Sequence, residues 1–336
     1  MSLASSSASR GAKNKLVSKS IIDCEHFGTC PGCVTNEDVT DIEIISSAIR
    51  YFESPSIRLQ RVDKGEADNF YKVVVPSDVN EWRTQAKLAV AKKSNWGRDG
   101  CIFGLYERGS HNVIQIPNCG VHHPNINTGV QALTDATAKV RTTAFDETAS
   151  TGLLRYVQCQ VERSTGKICL TLVCNAKKYK DTQPELSRLT NELKKSHPEL
   201  WHSMWLHCND GNGNAIFARG DERWSKLDGP EFVREPLATT DPNSERKDGL
   251  LFFTPATFRQ GNLDGFDEIA KDVARLVPDG AAVCELYAGV GLLGLSALSY
   301  AHYNLAGENQ KGLRWLRCSD ENPANLNCFN RAADSM

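Results

Sequence analysis

The stretch CELYAGVGLLG, from Cys284 to Gly294, decides the fold of the C-terminal part of this 336-residue chain. It ends a β-like run, contains the pattern G-x-G-x-x-G at Gly289, Gly291 and Gly294, and opens an apolar helical segment. Glycines between a strand and a helix let the backbone approach a nucleotide-type ligand, which the helix N-terminus faces. The pattern predicts the opening of a parallel, doubly wound α/β sheet.

The glycine pattern leaves the kind of cofactor open. A nicotinamide site would place an acidic residue about 20 residues further on. An S-adenosylmethionine site often has an acidic residue just before the glycines, here Glu285, and another at the end of the next strand. Asp320 follows the strand-like LRWLRC and is the candidate for the ribose hydroxyls, with Glu321 as its rival. A purely structural glycine turn is the alternative without a ligand.

The residues before the glycine turn have a different pattern. From about 70 to 260, short β-like runs such as CIFGLY and KICLTLVC alternate with Gly, Asn and Asp. This pattern predicts a mostly antiparallel β domain with one helix near 184–195. From 261 to 336 we predict a helix, then a strand, the glycine turn, a helix and a strand. The apolar face of the first helix carries Phe266, Ile269, Val273 and Leu276. The predicted fold class is α/β plus β, with an incomplete Rossmann-like domain at the C-terminus.

Three cysteines lie close together in CEHFGTCPGC, at Cys24, Cys30 and Cys33, and a fourth follows at Cys119. Four thiolates suit either tetrahedral zinc or an iron–sulfur cluster, and the spacing leaves both open. Gly28, Pro31 and Gly32 suit a tight loop around a metal, which disfavours free thiols on a flexible segment. The eight other cysteines sit singly, mostly in apolar or strand-like runs, and we expect them to be reduced and mostly buried.

The N-terminal 22 residues contain seven serines, one arginine, three lysines and no acidic residue. This composition predicts a transit peptide to a chloroplast or mitochondrion, and a disordered tail of a cytoplasmic protein is the alternative. Residues 23–35 form the predicted metal loop. In residues 36–69 we expect a helix, from about 37 to 53 after a capping box at Thr35–Asp38, and a connection. No apolar run is long enough to cross a bilayer.

The formal net charge of −2 requires any polyanionic partner to be met by a local basic surface. The window from 78 to 98 offers one, with two tryptophans among its basic residues. A solvated pair of strands is the alternative interpretation of this window. Its basic residues are Arg83, Lys87, Lys92, Lys93 and Arg98.

Six motifs occur in the order found in one known family. They are CEHFGTCPGC, WRTQAKL (82–88), FGLYERGSHNVIQIPNC ending at Cys119, FRQGN (258–262), CELYAGVG and CSDENPANL. With them the chain resembles, over about 23–336, the RNA (uracil-5-)-methyltransferases. The resemblance is to the iron–sulfur branch, which makes 5-methyluridine in ribosomal and transfer RNA. It implies the N-terminal part of a class I methyltransferase domain in residues 261–336 and an RNA partner, and we infer no obligate protein partner from it.

The resemblance also implies roles for individual residues. The four clustered cysteines correspond to the ligands of a [4Fe–4S] cluster: Cys24, Cys30, Cys33 and Cys119. The residues that correspond to the S-adenosylmethionine site are Gln260, Tyr287, Gly289 and Asp320. An amide, an aromatic ring and a carboxylate suit the methionine end, the packing surface and the ribose hydroxyls of this cofactor. Arg83, Lys87 and Phe258 are the candidate RNA contacts.

The chain departs from the family in its catalytic residues. The family uses a cysteine thiolate that adds to C6 of uracil and a base that removes the C5 proton. Both lie after a D-P-P-R-type motif, which is absent before Met336. We assign Cys318 and Cys328 to packing and name no nucleophile. Only 23 residues precede Cys24, so we do not expect here the RNA-binding barrel that opens many relatives.

These departures leave three hypotheses for the function. The leading one is a shortened form of an RNA uracil-C5 methyltransferase. The rival is a non-catalytic iron–sulfur protein that binds RNA. A nicotinamide oxidoreductase is the third hypothesis, and it would need a dinucleotide domain at least twice as long as the one predicted here.

Overall fold

The computed structural model describes residues 24–33, 43–53, 79–93, 100–211, 213, 215–238, 249–303 and 311–336. The predicted transit peptide and the capping box at Thr35–Asp38 lie outside these ranges. Helix α1 (Glu43–Glu53) confirms the C-terminal part of the helix predicted for 37–53. Among the described residues no helix has the length and apolar character needed to span a bilayer.

A seven-stranded sheet forms the centre of the molecule and confirms the mostly antiparallel β prediction. Its strands have the order β3-β2-β1-β4-β5-β6-β7. Only β5 and β6 are parallel neighbours; the other pairs are antiparallel. The strands are β1 (Gln85–Lys92), β2 (Cys101–Tyr106), β3 (Val113–Gln115), β4 (Leu154–Val161), β5 (Ile168–Cys174), β6 (Trp201–Cys208) and β7 (Trp224–Asp228).

Two helices, α2 (Pro124–Val140) and α3 (Glu185–Ser196), pack with one face of this sheet. Helix α3 confirms the helix predicted near 184–195 and connects the parallel strands β5 and β6. The sequence pattern did not predict α2, because Gly129 and several threonines lower its helix propensity. The start of α2 could have been recognised from Pro124, since proline is common at the first position of a helix. The side chain of His123 caps the helix directly before it.

A hairpin of β8 (Val233–Pro236) and β9 (Leu250–Phe253) packs against β5, on the face of the sheet opposite to α2 and α3. Its apolar side chains contact Cys169 of β5 and also residues of the C-terminal part, including Val290 and Leu295. One continuous apolar cluster therefore joins the sheet to the glycine turn. This contact fixes the C-terminal elements relative to the sheet.

The C-terminal elements have the predicted order. They are α4 (Leu263–Leu276), β10 (Ala282–Leu286), α5 (Leu292–Tyr303), β11 (Trp315–Ser319) and α6 (Ala324–Asp334). Strands β10 and β11 are parallel and connected through α5, as expected for a βαβ unit.

The buried face of α4 differs from the apolar face in the sequence pattern. Helix α4 buries Leu263, Ala270 and Ala274, whereas Ile269 and Leu276 are 44% and 81% exposed. The small alanine side chains permit a close approach to the neighbouring α5, which larger side chains would prevent. The apolar spacing along this helix therefore does not by itself give its buried face.

The isolated cysteines form no disulfides in the structure, and most are buried, as predicted. Cys318 is half-buried and Cys284 is exposed. The buried ones are Cys101, Cys159, Cys169, Cys174, Cys208 and Cys328.

Candidate functional site

The glycine turn between β10 and α5 has a backbone that needs two of its glycines. Gly289 and Gly291 have φ values of +58° and +83°, in the left-handed region that favours glycine. A Cβ on Gly291 would lie 2.5 Å from Cδ2 of Phe329, so α6 approaches this residue too closely for any side chain. A Cβ on Gly289 would have no atom within 4 Å. The turn is thus packed on the side of Gly291 and open beside Gly289.

Gly291→Ala is therefore expected to disturb the turn through both its φ value and the contact with Phe329. We expect a loss of about 2 kcal/mol or more in the free energy of unfolding, as is typical for overpacking with backbone strain. Gly289→Ala is the matched comparison, because its added Cβ would be strained by the positive φ value but would not contact Phe329. Urea unfolding followed by circular dichroism measures both, and equal losses would contradict the role of Phe329.

Asp320, the predicted ribose ligand, lies directly beside the open side of the turn. Its Oδ2 accepts a hydrogen bond from Gly289 N at 2.8 Å, and its Oδ1 accepts from Asn322 N and Asn325 Nδ2, both at 2.8 Å. The backbone hydrogen bond from Asn322, followed by that from Gly289, holds the pKa of Asp320 below its ordinary value. The exposed carboxylate is ionised at neutral pH, and its Oδ2 retains a lone pair for a ligand hydroxyl.

Glu285, the acidic residue before the glycines, faces helix α5. Its Oε2 accepts a hydrogen bond from Gly294 N at 2.8 Å, and Cys318 Sγ donates to the same oxygen at 3.5 Å. Burial raises the pKa of Glu285 above its ordinary value. A Cβ on Gly294 would lie 2.6 Å from this oxygen, so Gly294 is needed for the contact. Glu285 therefore caps α5 and holds the turn rather than pointing to the open side of Gly289.

The two aromatic residues assigned to the site are exposed. Tyr287, at the start of the turn, is 84% exposed, and Phe258 in the FRQGN segment is 67% exposed. Gln260 is half-buried in the same segment. Asn322 Nδ2 donates to the carbonyl oxygen of Ala256 at 3.4 Å, which brings the 254–262 loop beside the carboxyl end of β11. The structure therefore brings the FRQGN loop and the glycine turn to the same region.

Arg259 anchors the FRQGN loop, a role that sequence reasoning did not detect. Its side chain is fully buried, and its Nη2 donates to Val161 O at 2.7 Å, Glu235 Oε1 at 2.9 Å and Thr84 Oγ1 at 3.2 Å. Thr84 N also donates to Gly261 O at 2.9 Å. The loop that carries Phe258 and Gln260 is therefore tied to β4, β8 and the start of β1.

The anchor continues into α4 through a second arginine. Glu235 Oε2 pairs with Arg163 Nε at 2.8 Å, and Arg163 Nη1 reaches Asp264 and Asp267 of α4, both at 2.8 Å. Although burial opposes it, the charges of Glu235 and Asp267 raise the pKa of Arg163 above its ordinary value. This network of charges links the central sheet to the first helix of the C-terminal part.

The four cysteines assigned to a metal line one cavity of about 100 Å³ between the N-terminal loop and β1. Burial raises the pKa values of Cys33 and Cys119, and neighbouring thiols raise them further, as expected for sulfurs that lie near one another. Gly32 N donates to Cys30 Sγ at 3.4 Å. A Cβ on Gly32 would lie 3.2 Å from Leu105 and 3.3 Å from Cys30 Sγ, so a side chain there would crowd the cavity.

The four cysteine sulfurs that line this cavity are the kind of ligand that a thiolate-bound metal requires. Among the described residues, however, no three His, Cys, Asp or Glu side chains are close enough together to hold a metal ion as they stand. The ligand set and the identity of the bound group therefore both stay predictions.

Arg83 and Lys87, the two basic candidates for RNA contact, line the same cavity. Arg83 stacks on Trp82, with 5.1 Å between its Cζ and the ring centroid. Lys87 Nζ lies 5.0 Å from the centroid of Phe217, and desolvation lowers the pKa of Lys87. Residues 94–99 of the basic window, including Arg98, lie outside the described residues.

The structure agrees with the assignment of Cys318 and Cys328 to packing. Burial raises the pKa of Cys318 to about 12, with the Glu285 charge as a further cause, and raises the pKa of Cys328 to about 11. Both side chains are thiols at neutral pH, and a thiol is a poor nucleophile.

No family model matches the chain. A search of known proteins identifies relatives that are named RNA methyltransferases. An uncharacterized RNA methyltransferase of Protochlamydia amoebophila is 29% identical over 327 residues, covering 95% of this chain and 73% of the relative. One of Geobacter sulfurreducens is 27% identical over 275 residues, covering 81% of this chain and 50% of the relative. The chain thus spans 73% of the first relative and half of the second.

A solved structure with the same fold comes from Pyrococcus abyssi. It is the tRNA (uracil-54, C5)-methyltransferase in complex with S-adenosyl-L-homocysteine, at a TM-score of 0.58 and 19% identity. The match covers 78% of this chain and 54% of that chain. The relatives confirm the predicted resemblance at the level of RNA methyltransferases, and the solved structure shares the fold of the chain.

Proposed function

We propose that this chain belongs to an enzyme that transfers a methyl group from S-adenosylmethionine to C5 of a uridine in ribosomal or transfer RNA. The observation that carries the proposal is the ionised Asp320 carboxylate beside the open side of Gly289, at the carboxyl ends of two parallel strands. Ligands of open α/β sheets bind at this position. The RNA methyltransferase relatives and the fold of the tRNA (uracil-54, C5)-methyltransferase support the choice of reaction.

Residues of this chain have distinct tasks in the proposed cofactor site. Asp320 Oδ2 accepts a ribose hydroxyl, while its three N–H donors hold the carboxylate in place. Tyr287 offers an exposed ring for packing against the cofactor. Gln260 offers an amide to its methionine end, on a loop held by the buried Arg259. S-adenosylmethionine supplies an electrophilic methyl group, and these residues orient it.

Methylation at C5 also needs a nucleophile for C6 and a base for the C5 proton. We assign neither role to a described residue, since burial keeps Cys318 and Cys328 protonated. Phe258 is exposed on the loop beside the proposed cofactor site, and we propose that it contacts the RNA. Base-modifying enzymes take their target base out of the stack, so we expect the target uridine to be flipped towards this loop.

We further propose that Cys24, Cys30, Cys33 and Cys119 hold a [4Fe–4S] cluster. Their common cavity and the N–H donated by Gly32 to Cys30 Sγ support this assignment. The cluster would have a structural role, because ligation supplies folding free energy to a loop with little apolar core of its own. Tetrahedral zinc is the alternative that the donor set also allows.

Binding of S-adenosylhomocysteine tests the proposed cofactor site. Asp320→Ala is expected to weaken binding by about 10-fold or more, since hydrogen bonds to a charged group contribute about 1.5–3 kcal/mol. Isothermal titration calorimetry gives the dissociation constants, with Glu321→Ala as the matched control that keeps wild-type affinity. A wild-type chain that does not bind the ligand, or a variant pair with the reverse pattern, would reject the assignment.

The reaction itself is tested in cells that lack the gene. Mass spectrometry of their ribosomal and transfer RNA should show the loss of 5-methyluridine at one or more positions. An unchanged content of 5-methyluridine in both RNA classes would contradict the proposed reaction. It would not contradict the proposed cofactor site, which the binding experiment tests separately.

A further inference from the structure

An open groove crosses β1, β2 and β4 on the sheet face opposite to α2 and α3. It consists of two adjoining cavities of about 580 and 340 Å³, which share Tyr106, His111, Glu147 and Tyr156. We call it the sheet groove. Its size is in the range of small-molecule and nucleotide sites. The proposed cofactor site does not use any of these four residues.

Aromatic side chains form the floor of the sheet groove. The rings of Tyr106 and Tyr156 are nearly perpendicular, with centroids 6.5 Å apart, and their hydroxyl groups are hydrogen-bonded at 3.3 Å. Between them, Ala89 pairs with Tyr156 on one side and with Gly104 on the other. Because alanine and glycine fill little space, a planar group has room above the sheet and can stack on the tyrosines.

The charged groups of the groove are unevenly distributed. Lys87 lies at one end, next to the cysteine cavity. Two carboxylates line the opposite part: Glu147 Oε2 bonds to His111 Nδ1 at 2.7 Å, and Asp146 Oδ1 accepts from the backbone N–H groups of Thr148 and Ala149. The second oxygen of each carboxylate can accept a further hydrogen bond. Arg155 lines the same part as the carboxylates, but its Nη1 donates to Asn209 O and Gly211 O, which do not line the groove.

This arrangement selects among the parts of a nucleotide. Carboxylates repel phosphate, whereas they accept hydrogen bonds from exocyclic amino groups, as they do from N4 of cytosine. A base that stacks on the tyrosines would direct its amino group to the carboxylate wall, and its phosphate would lie towards Lys87. Uracil has no exocyclic amino group, so the groove does not suit the proposed target base.

Strand β4 connects the groove to the loop of the proposed cofactor site. Gln158, two residues after Tyr156 on β4, donates from Nε2 to Pro255 O at 3.2 Å. Pro255 lies in the 254–262 loop that carries Phe258 and Gln260. The 254–262 loop therefore contacts β4 two residues beyond the tyrosine that lines the groove.

Building on the proposed function, we propose that the sheet groove binds an unpaired base of the RNA substrate that carries an exocyclic amino group. This base is a neighbour of the target uridine, not the target itself. Stacking on Tyr106 and Tyr156 supplies affinity, and the carboxylates of Glu147 and Asp146 supply the preference for cytosine or adenine over uracil.

Fluorescence anisotropy with labelled ten-nucleotide RNAs tests the proposal on the full chain. Wild-type protein is expected to bind oligo(C) or oligo(A) more tightly than oligo(U). Tyr106→Leu is expected to weaken oligo(C) binding by about 10-fold, the loss of one stacked base. Glu147→Gln is expected to reduce the preference for oligo(C) over oligo(U). Tyr179→Leu changes an exposed tyrosine outside the groove and is expected to keep wild-type affinity.

S-adenosylhomocysteine binding separates this inference from the proposed function. Tyr106→Leu and Glu147→Gln should bind it as the wild type does, which also confirms that they fold. If Tyr106→Leu fails to fold, the exposed Glu147→Gln change decides the test alone. Unchanged RNA affinity in Tyr106→Leu, an unchanged base preference in Glu147→Gln, or equal wild-type binding of oligo(U) and oligo(C) would overturn the groove assignment. A wild-type chain that binds neither RNA nor S-adenosylhomocysteine would reject both proposals.

Discussion

Replacement of Arg259 by methionine is expected to lower the free energy of unfolding by about 3 kcal/mol, as typically found when one partner of a buried ion pair is removed. The change leaves Val161 O and Thr84 Oγ1 without their donor and removes one of two cations that face the buried Glu235. Arg163 still pairs with Glu235, which keeps the loss near the lower end of the range. Urea unfolding followed by circular dichroism measures the change.

Arg275→Met is the matched control for Arg259→Met. Arg275 pairs with Asp272 at 3.1 Å, but its side chain is 56% exposed. Surface ion pairs of this kind contribute about 1 kcal/mol or less, so we expect little change in the unfolding midpoint. Similar losses in the two variants would contradict the anchoring role of Arg259. The double change Arg259→Met with Glu235→Gln should lose less than the sum of the two single changes, because the two residues interact directly.

Replacement of Cys119 by serine is expected to remove the proposed cluster as completely as replacement of Cys30. Cys119 follows β3, whereas Cys30 belongs to the N-terminal loop, and both line the same cavity. Anaerobically purified wild-type protein should be brown and contain about four irons per chain, as a [4Fe–4S] centre requires. Each variant should be nearly colourless, with iron measured by inductively coupled plasma mass spectrometry.

Cys169→Ser is the control for the cluster prediction. Cys169 is buried on β5 in the cluster that joins the sheet to the C-terminal elements, and it does not line the cysteine cavity. This variant should keep its iron and its colour. A colourless wild-type protein with one zinc and no iron after anaerobic reconstitution would reject the iron–sulfur assignment.

Short-range patterns were sufficient to predict the C-terminal elements and the position of Asp320. Strand β10, the glycine turn, α5 and β11 follow from local hydrophobicity and from glycines that the turn geometry requires. Because the carboxyl ends of parallel strands meet at one edge, a residue that follows β11 must lie near the turn that follows β10. The hydrogen bond from Gly289 N to Asp320 realises this expectation.

Other features depended on partners distant in sequence. Glu285 could face the cofactor or the helix, and only the packing of α5 against β10 directs it to Gly294. The apolar spacing of α4 did not give its buried face, since Ala270 and Ala274 are buried whereas Ile269 and Leu276 are exposed. Helix α2 has weak intrinsic propensity and is stabilised by the sheet that it covers.

The sequence by itself determined the order of the motifs, the types of side chain available for chemistry and the local turn beside Asp320. Only the tertiary structure decided which of these side chains meet. It gathers the cysteines of the N-terminal loop and Cys119 in one cavity, and it pairs Arg259 with the carbonyl oxygen of Val161, 98 residues earlier in the chain. The physical reason is that spacing constrains neighbours along one helix or strand, whereas contacts between elements depend on how their buried surfaces fit together.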